Sequence, residues 1–195
     1  MKINVFQKFI LFTVFGSLMI SCTSDDNSTN IQTKTIETQF KSTSSAMIEF
    51  ETTLKNVSLK VAEIVKSEGY SKDPESYEET LNLAMAPLVV PSRKLITEAK
   101  ITSEEAPAIS TLTDLQTIQT GLLIYTHNTV QNDDPSVLDC VARAFVGLEL
   151  HEGFWGSFAT RRALVTAIGK VASRYLGAIG VALIVYDFTD CMGWI

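Results

Sequence analysis

The chain has 195 residues, 46% of them hydrophobic, and carries 16 basic against 22 acidic side chains for a formal net charge of -6. That composition is of a chain with a real core and excludes a disordered one. The acidic balance speaks against nucleic-acid binding, which rests on clustered Lys and Arg.

The chain opens with MKINVFQKFILFTVFGSLMISC. Lys2 and Lys8 form a short positive segment, and Phe9 to Ile20 is an almost unbroken apolar run that ends at Ser21 and Cys22. A run of this length suits the apolar region of a secretory signal and falls short of the ~20 residues a transmembrane helix needs. Small Ser21 directly before Cys22 is what a signal peptidase accommodates. The segment resembles a bacterial lipoprotein precursor, with Leu18 one position early and Met19 in the place of the usual Leu. The resemblance implies cleavage before Cys22, acylation of its thiol with palmitate-type chains, and a mature chain starting there. Each buried methylene contributes ~0.8 kcal/mol, so several chains on one cysteine anchor stably. The TSDDNS that follows resembles the export signal of surface lipoproteins of the Bacteroidetes group. It implies an outer-membrane or cell-surface location, with the membrane as a partner through the lipid anchor. The expected organisation is a signal peptide over 1–21, a lipidated cysteine and disordered tether over 22–45, and one helical domain over 46–195.

Without the two signal lysines the chain holds 14 basic and 22 acidic residues, a formal charge of -8. Thr23 to Cys140 carries 9 basic and 18 acidic residues, whereas Val141 to Arg174 carries 5 and 2. A basic, apolar C-terminal third thus follows an acidic body.

From Ala46, the apolar residues Phe50, Leu54, Val57, Val61 and Ile64 recur at helical spacing, and Gly69 is a C-terminal stop. In KDPESYEETLNLAMAP, Asp73 caps a second helix with Pro74 at its first position and Glu75, Glu78 and Glu79 near its positive end. Pro87 and Pro91 break the chain around LVV, ahead of a short helix over Ser92 to Lys100. Ser103, Glu104 and Glu105 start another helical pattern that Pro107 disturbs. Leu112, Leu115, Ile118, Leu122 and Tyr125 continue it, with GLLIY readable as a strand that has no partner. Asp134 and Pro135 repeat the cap-and-proline start of a helix running through Val137, Val141, Ala144 and Leu148 to about Leu150. After the HEGFWGSF break, helix resumes through the glycine-rich tail. The expected fold is all-α, a compact bundle of about five or six helices.

Three cysteines are present. With Cys22 lipidated, Cys140 and Cys191 remain as a pair that oxidises outside the cytoplasm. Closing that loop would stabilise the fold by about 4 kcal/mol on the chain-entropy account.

No catalytic signature emerges. HEGFW at His151 to Trp155 begins like a zinc-protease motif, but Trp155 stands where the second His ligand is required. Only His127 and His151 are available, which excludes a histidine-rich metal site; Phe154 and Trp155 read as core residues. Nucleophile elbow, P-loop and dinucleotide fingerprints are absent, so neither an enzymatic activity nor a cofactor is expected.

The twelve residues Tyr175 to Tyr186 carry no charge. Gly169, Ser173 and Gly177 are spaced by four and Gly180 adds another small residue, the pattern of a membrane or close helix-packing face. As helix, twelve residues span only ~18 Å, short of a ~30 Å hydrocarbon core, which favours a core helix. The sequence therefore points to a lipid-anchored helical binding or structural module with a protein partner. The alternative is a membrane-active or contact-toxicity protein that inserts its C-terminal helix.

Overall fold

A computed structural model describes residues 43–67, 73–131, 134, 136–148 and 153–195. The signal peptide, Cys22, the tether up to residue 42, Gly69, Pro135, Leu150, His151 and Glu152 lie outside the described residues. Among those described, every regular element is helical, so the all-α bundle is the fold.

Helix α1 spans Ser45–Lys66 and α2 spans Pro74–Met85; a 3-10 turn over Ala86–Leu88 leads without a break into α3, Val89–Glu98. Then come α4 (Asp114–Gln131), α5 (Ser136–Ala144), α6 (Arg161–Ala172) and α7 (Ala178–Cys191). Taking α2 and α3 as one bent rod, six rods make the bundle. Their starts follow from capping chemistry. Ser44 Oγ accepts the Met47 N–H at 3.2 Å, Asp73 accepts that of Ser76 at 3.1 Å, and Thr160 accepts that of Ala163 at 3.3 Å. At α4, Thr113 and Gln116 bond reciprocally, each side chain accepting the other's backbone N–H.

The α1 stripe faces the core, with Phe50, Leu54 and Val61 fully buried. Pro87 and Pro91 bend the chain rather than breaking it. The 3-10 turn shifts the bonding register just ahead of Pro91, so its missing N–H falls in the first turn of α3. α3 consequently starts at Val89, three residues before the expected Ser92. It stops where Lys100 takes a left-handed φ of 49°.

The helix expected from Ser103 does not form. Thr102 and Glu105 make a reciprocal capping pair, at 3.0 and 3.3 Å, but Pro107 cannot propagate the turn and only a 3-10 helix over Pro107–Thr111 follows. The helix expected to reach Leu150 ends at Ala144 and passes into a 3-10 turn over Val146–Leu148. The Arg174 guanidinium donates to the Gly147 carbonyl in that turn.

The bundle is built around α4, whose residues Thr117 to His127 are all buried. It packs against α1, α3, α5, α6 and α7. Two of its buried polar side chains bond back to their own helix, Thr126 to the Leu122 carbonyl at 2.9 Å and Gln119 to that of Leu115 at 3.3 Å, whereas the buried Thr120 hydroxyl finds no partner among the described residues. α3 and α4 cross closely where Gly121 faces the buried Ser92.

The C-terminal tail is two helices, not one. α6 ends at Ala172, Ser173 is its C-cap, and α7 begins after the Gly177 N-cap. Gly177 has no side chain to cap with; instead Glu78 of α2 reaches across and accepts the Ala178 N–H at 3.0 Å. α7 packs against α1, α2, α4 and α5 and buries Val181, Ala182, Val185 and Phe188. Past its end, Gly193 turns with a φ of 68°. Trp194 then stacks edge-on against Tyr125 and Phe188, with the Lys55 ammonium 4.5 Å from its ring centre. The Tyr125 hydroxyl donates to Glu51 at 3.0 Å; burial, reinforced by that carboxylate, pushes its pKa up. Cys140 and Cys191 form a disulfide with Cα atoms 5.3 Å apart. It ties the end of α7 to α5.

Candidate functional site

The small residues singled out in the tail do not form one face. Gly169 lies inside α6, Ser173 and Gly177 cap two different helices, and Gly180 sits in the first turn of α7 against the Leu176 side chain. The break after Ala172 separates them. No helix among the described residues is long and apolar enough to cross a membrane.

Two of the four come together elsewhere. Gly169 and Ser173 help line a cleft of about 270 Å³ between α6 and the 3-10 helix over Pro107–Thr111. Val165, Ile168 and Ala172 form its α6 wall, and Pro107, Ala108 and Ile109 the opposite one. The 3-10 wall exists because Pro107 halts the helix that Thr102 and Glu105 begin.

Glu105, on the lining of the cleft, belongs to a charged clamp. The Arg161 guanidinium donates to both oxygens of Glu105, at 2.6 and 2.8 Å. It also donates to the carbonyls of Ala99 and Lys100, at 3.1 and 2.8 Å, satisfying groups left over where α3 ends. The Arg161 bonds hold the Glu105 carboxyl well below the usual carboxylate range, at about 2, with further help from the Thr102 N–H. The same pairing pushes Arg161 up. Glu105 is thus a neutralised anion, fixed in place and already committed to its partners.

Gly169 is unusual for its position. Glycine in a helix interior is less favourable than alanine by roughly 1 kcal/mol. A Cβ at Gly169 would meet nothing within 4 Å, and its φ is not left-handed, so neither close packing nor backbone conformation requires glycine there. Gly121 and Gly177 differ: Ser92 and Glu78 occupy the space their Cβ atoms would fill.

The remaining chemistry-bearing residues are engaged elsewhere. His127 is buried; its Nδ1 lies 2.8 Å from the Phe158 carbonyl and its Nε2 2.9 Å from the Gln131 amide nitrogen. A carbonyl can only accept and an amide NH2 only donate, which places the proton on Nδ1 and leaves no free ring nitrogen for a metal. Phe154 is buried and half-buried Trp155 packs beside it at a centroid distance of 5.3 Å. Among the described residues no group of three His, Cys, Asp or Glu side chains is placed to hold a metal ion.

The cleft escaped the sequence reading because its walls are contributed by segments more than fifty residues apart. The available signals were the Thr-x-x-Glu pair at 102–105 closed by Pro107, and a glycine inside the α6 pattern with no turn to explain it. No known protein family, curated protein or solved structure matches the chain.

Proposed function

We propose that the protein is a lipid-anchored outer-membrane or cell-surface module that works by binding. The observation that carries the binding reading is the burial of α7. The helix that would have to insert into lipid packs on four others, and the Cys140–Cys191 bond fixes its end. Extracting it would expose Val181, Val185 and Phe188 and dismantle the core. A disulfide also suits an oxidising compartment beyond the inner membrane, in agreement with the export signal.

Metabolic labelling with a palmitate analogue tests the anchor. Wild-type protein is expected to take up label and partition with membranes. Cys22→Ala is expected to lose both. Labelling that persists in Cys22→Ala would remove the lipoprotein reading.

A further inference from the structure

Gly169 is the one helix-interior glycine of α6, and nothing in the packing or the backbone calls for it. A side chain there would strengthen the helix and project into open volume. What the glycine achieves is a cleft that stays open between α6 and the Pro107–Thr111 wall. The volume of about 270 Å³ lies just below the ~300–1,000 Å³ typical of small-molecule pockets, enough for one short chain and too little for a phospholipid.

The charges around the cleft select the ligand. Its one lining anion, Glu105, is neutralised by Arg161. Arg162 and Lys170 are exposed on α6 and make no ion pair among the described residues. Helical spacing sets Arg162 one turn from Val165 and two turns from Gly169, both of which line the cleft. Glu104, exposed beside Glu105, makes no ion pair among the described residues either, so with Arg162 and Lys170 the unpaired charge beside this apolar volume is positive on balance.

We propose that the cleft binds a small anionic amphiphile, a medium-chain carboxylate whose alkyl body lies along Pro107, Ile109, Val165 and Gly169 and whose carboxylate meets Arg162. This assignment rests on the reading of the body as a binding module and does not depend on acylation of Cys22.

Calorimetric titration of the full-length protein with octanoate, in one fixed nonionic detergent, tests it. Saturable binding at a single site is expected, with octanol, the uncharged analogue, competing poorly. Gly169→Leu fills the cleft and is expected to weaken binding by at least ~tenfold while melting no lower than wild type. Arg162→Glu, on the surface, is expected to weaken binding ~tenfold without changing thermal stability, which keeps the test decisive should Gly169→Leu fold poorly. Absence of saturable octanoate binding, or binding unchanged in Gly169→Leu and Arg162→Glu, would overturn the site. Equal competition by octanol would overturn the anionic ligand. Failure of palmitate labelling at Cys22 would leave this result standing, so the two readings fall separately.

Discussion

Replacing Gly121 with alanine probes the close crossing of α3 and α4. A Cβ at this position would stand 2.4 Å from Ser92 Oγ, 2.6 Å from Ser92 Cβ and 3.0 Å from its Cα. Rotating the serine does not relieve the clash, because Cβ and backbone stay in the way, so α3 and α4 must separate by several tenths of an ångström or more in a close-packed interior. Overpacking of this kind destabilises by ~1–3 kcal/mol. Disturbing the Ser92 hydroxyl, which donates to the Leu88 carbonyl at 2.7 Å, adds ~1 kcal/mol, and the helix propensity gained by alanine returns ~1 kcal/mol. The net expectation is about 2 kcal/mol of destabilisation, read as a drop of roughly 4–8 °C in melting temperature. The identical change at Gly169, where the added methyl meets nothing, is expected to raise stability by up to ~1 kcal/mol. Ser92→Gly removes two of the three clashing atoms, so a double-mutant cycle with Gly121→Ala should show a favourable coupling of ~1 kcal/mol or more. Urea unfolding of the four proteins supplies the numbers. Gly121→Ala as stable as wild type, or zero coupling, would refute the close crossing.

Glu78→Ala and Gly177→Ala each remove the cap of α7, the second by displacing the carboxylate, and are expected to cost ~1 kcal/mol singly but little more together. Near-additive losses in chemical denaturation would count against a shared cap. Protein purified without reductant should show no titratable thiol from Cys140 or Cys191 after unfolding, and reduction should lower stability by about 4 kcal/mol; two free thiols would rule the bond out. Glu105 has a lowered folded-state pKa, so its pairing with Arg161 stabilises the protein above the unfolded value of 4.5 and loses that effect as pH falls toward about 2. Stability of wild type relative to Glu105→Gln, followed by thermal unfolding, should be constant above about pH 5 and shrink between there and pH 2. A difference independent of pH would contradict the clamp.

How far the fold can be read from the sequence depends on whether an element has one buried face. α1 does, and its stripe from Phe50 to Val61 maps directly onto the core. α2 announces its start with Asp73 and Pro74, and Asp134 likewise bonds Ser136 at the head of α5. α4 is enclosed on all sides, so its buried set includes Thr117, Gln119, Thr120 and His127, which period and hydropathy assign to a polar face. Hydropathy pointed instead to the tail as the central helix. α7 is indeed core, but α4 is the element the others surround. The break between α6 and α7 was hidden because its cap comes from Glu78, about a hundred residues away, and no local residue marks it. The cleft was illegible for the same reason: Pro107 was visible as a disturbance and Gly169 as a small residue, but their apposition belongs to tertiary structure.

The most direct measurement is dye leakage from anionic liposomes exposed to the protein, with and without reductant. A binding module with α7 as core is expected to leave the vesicles intact under oxidising conditions and after reduction of Cys140–Cys191. Leakage, above all leakage that rises when the disulfide is opened, would contradict it and make the C-terminal helix a membrane effector.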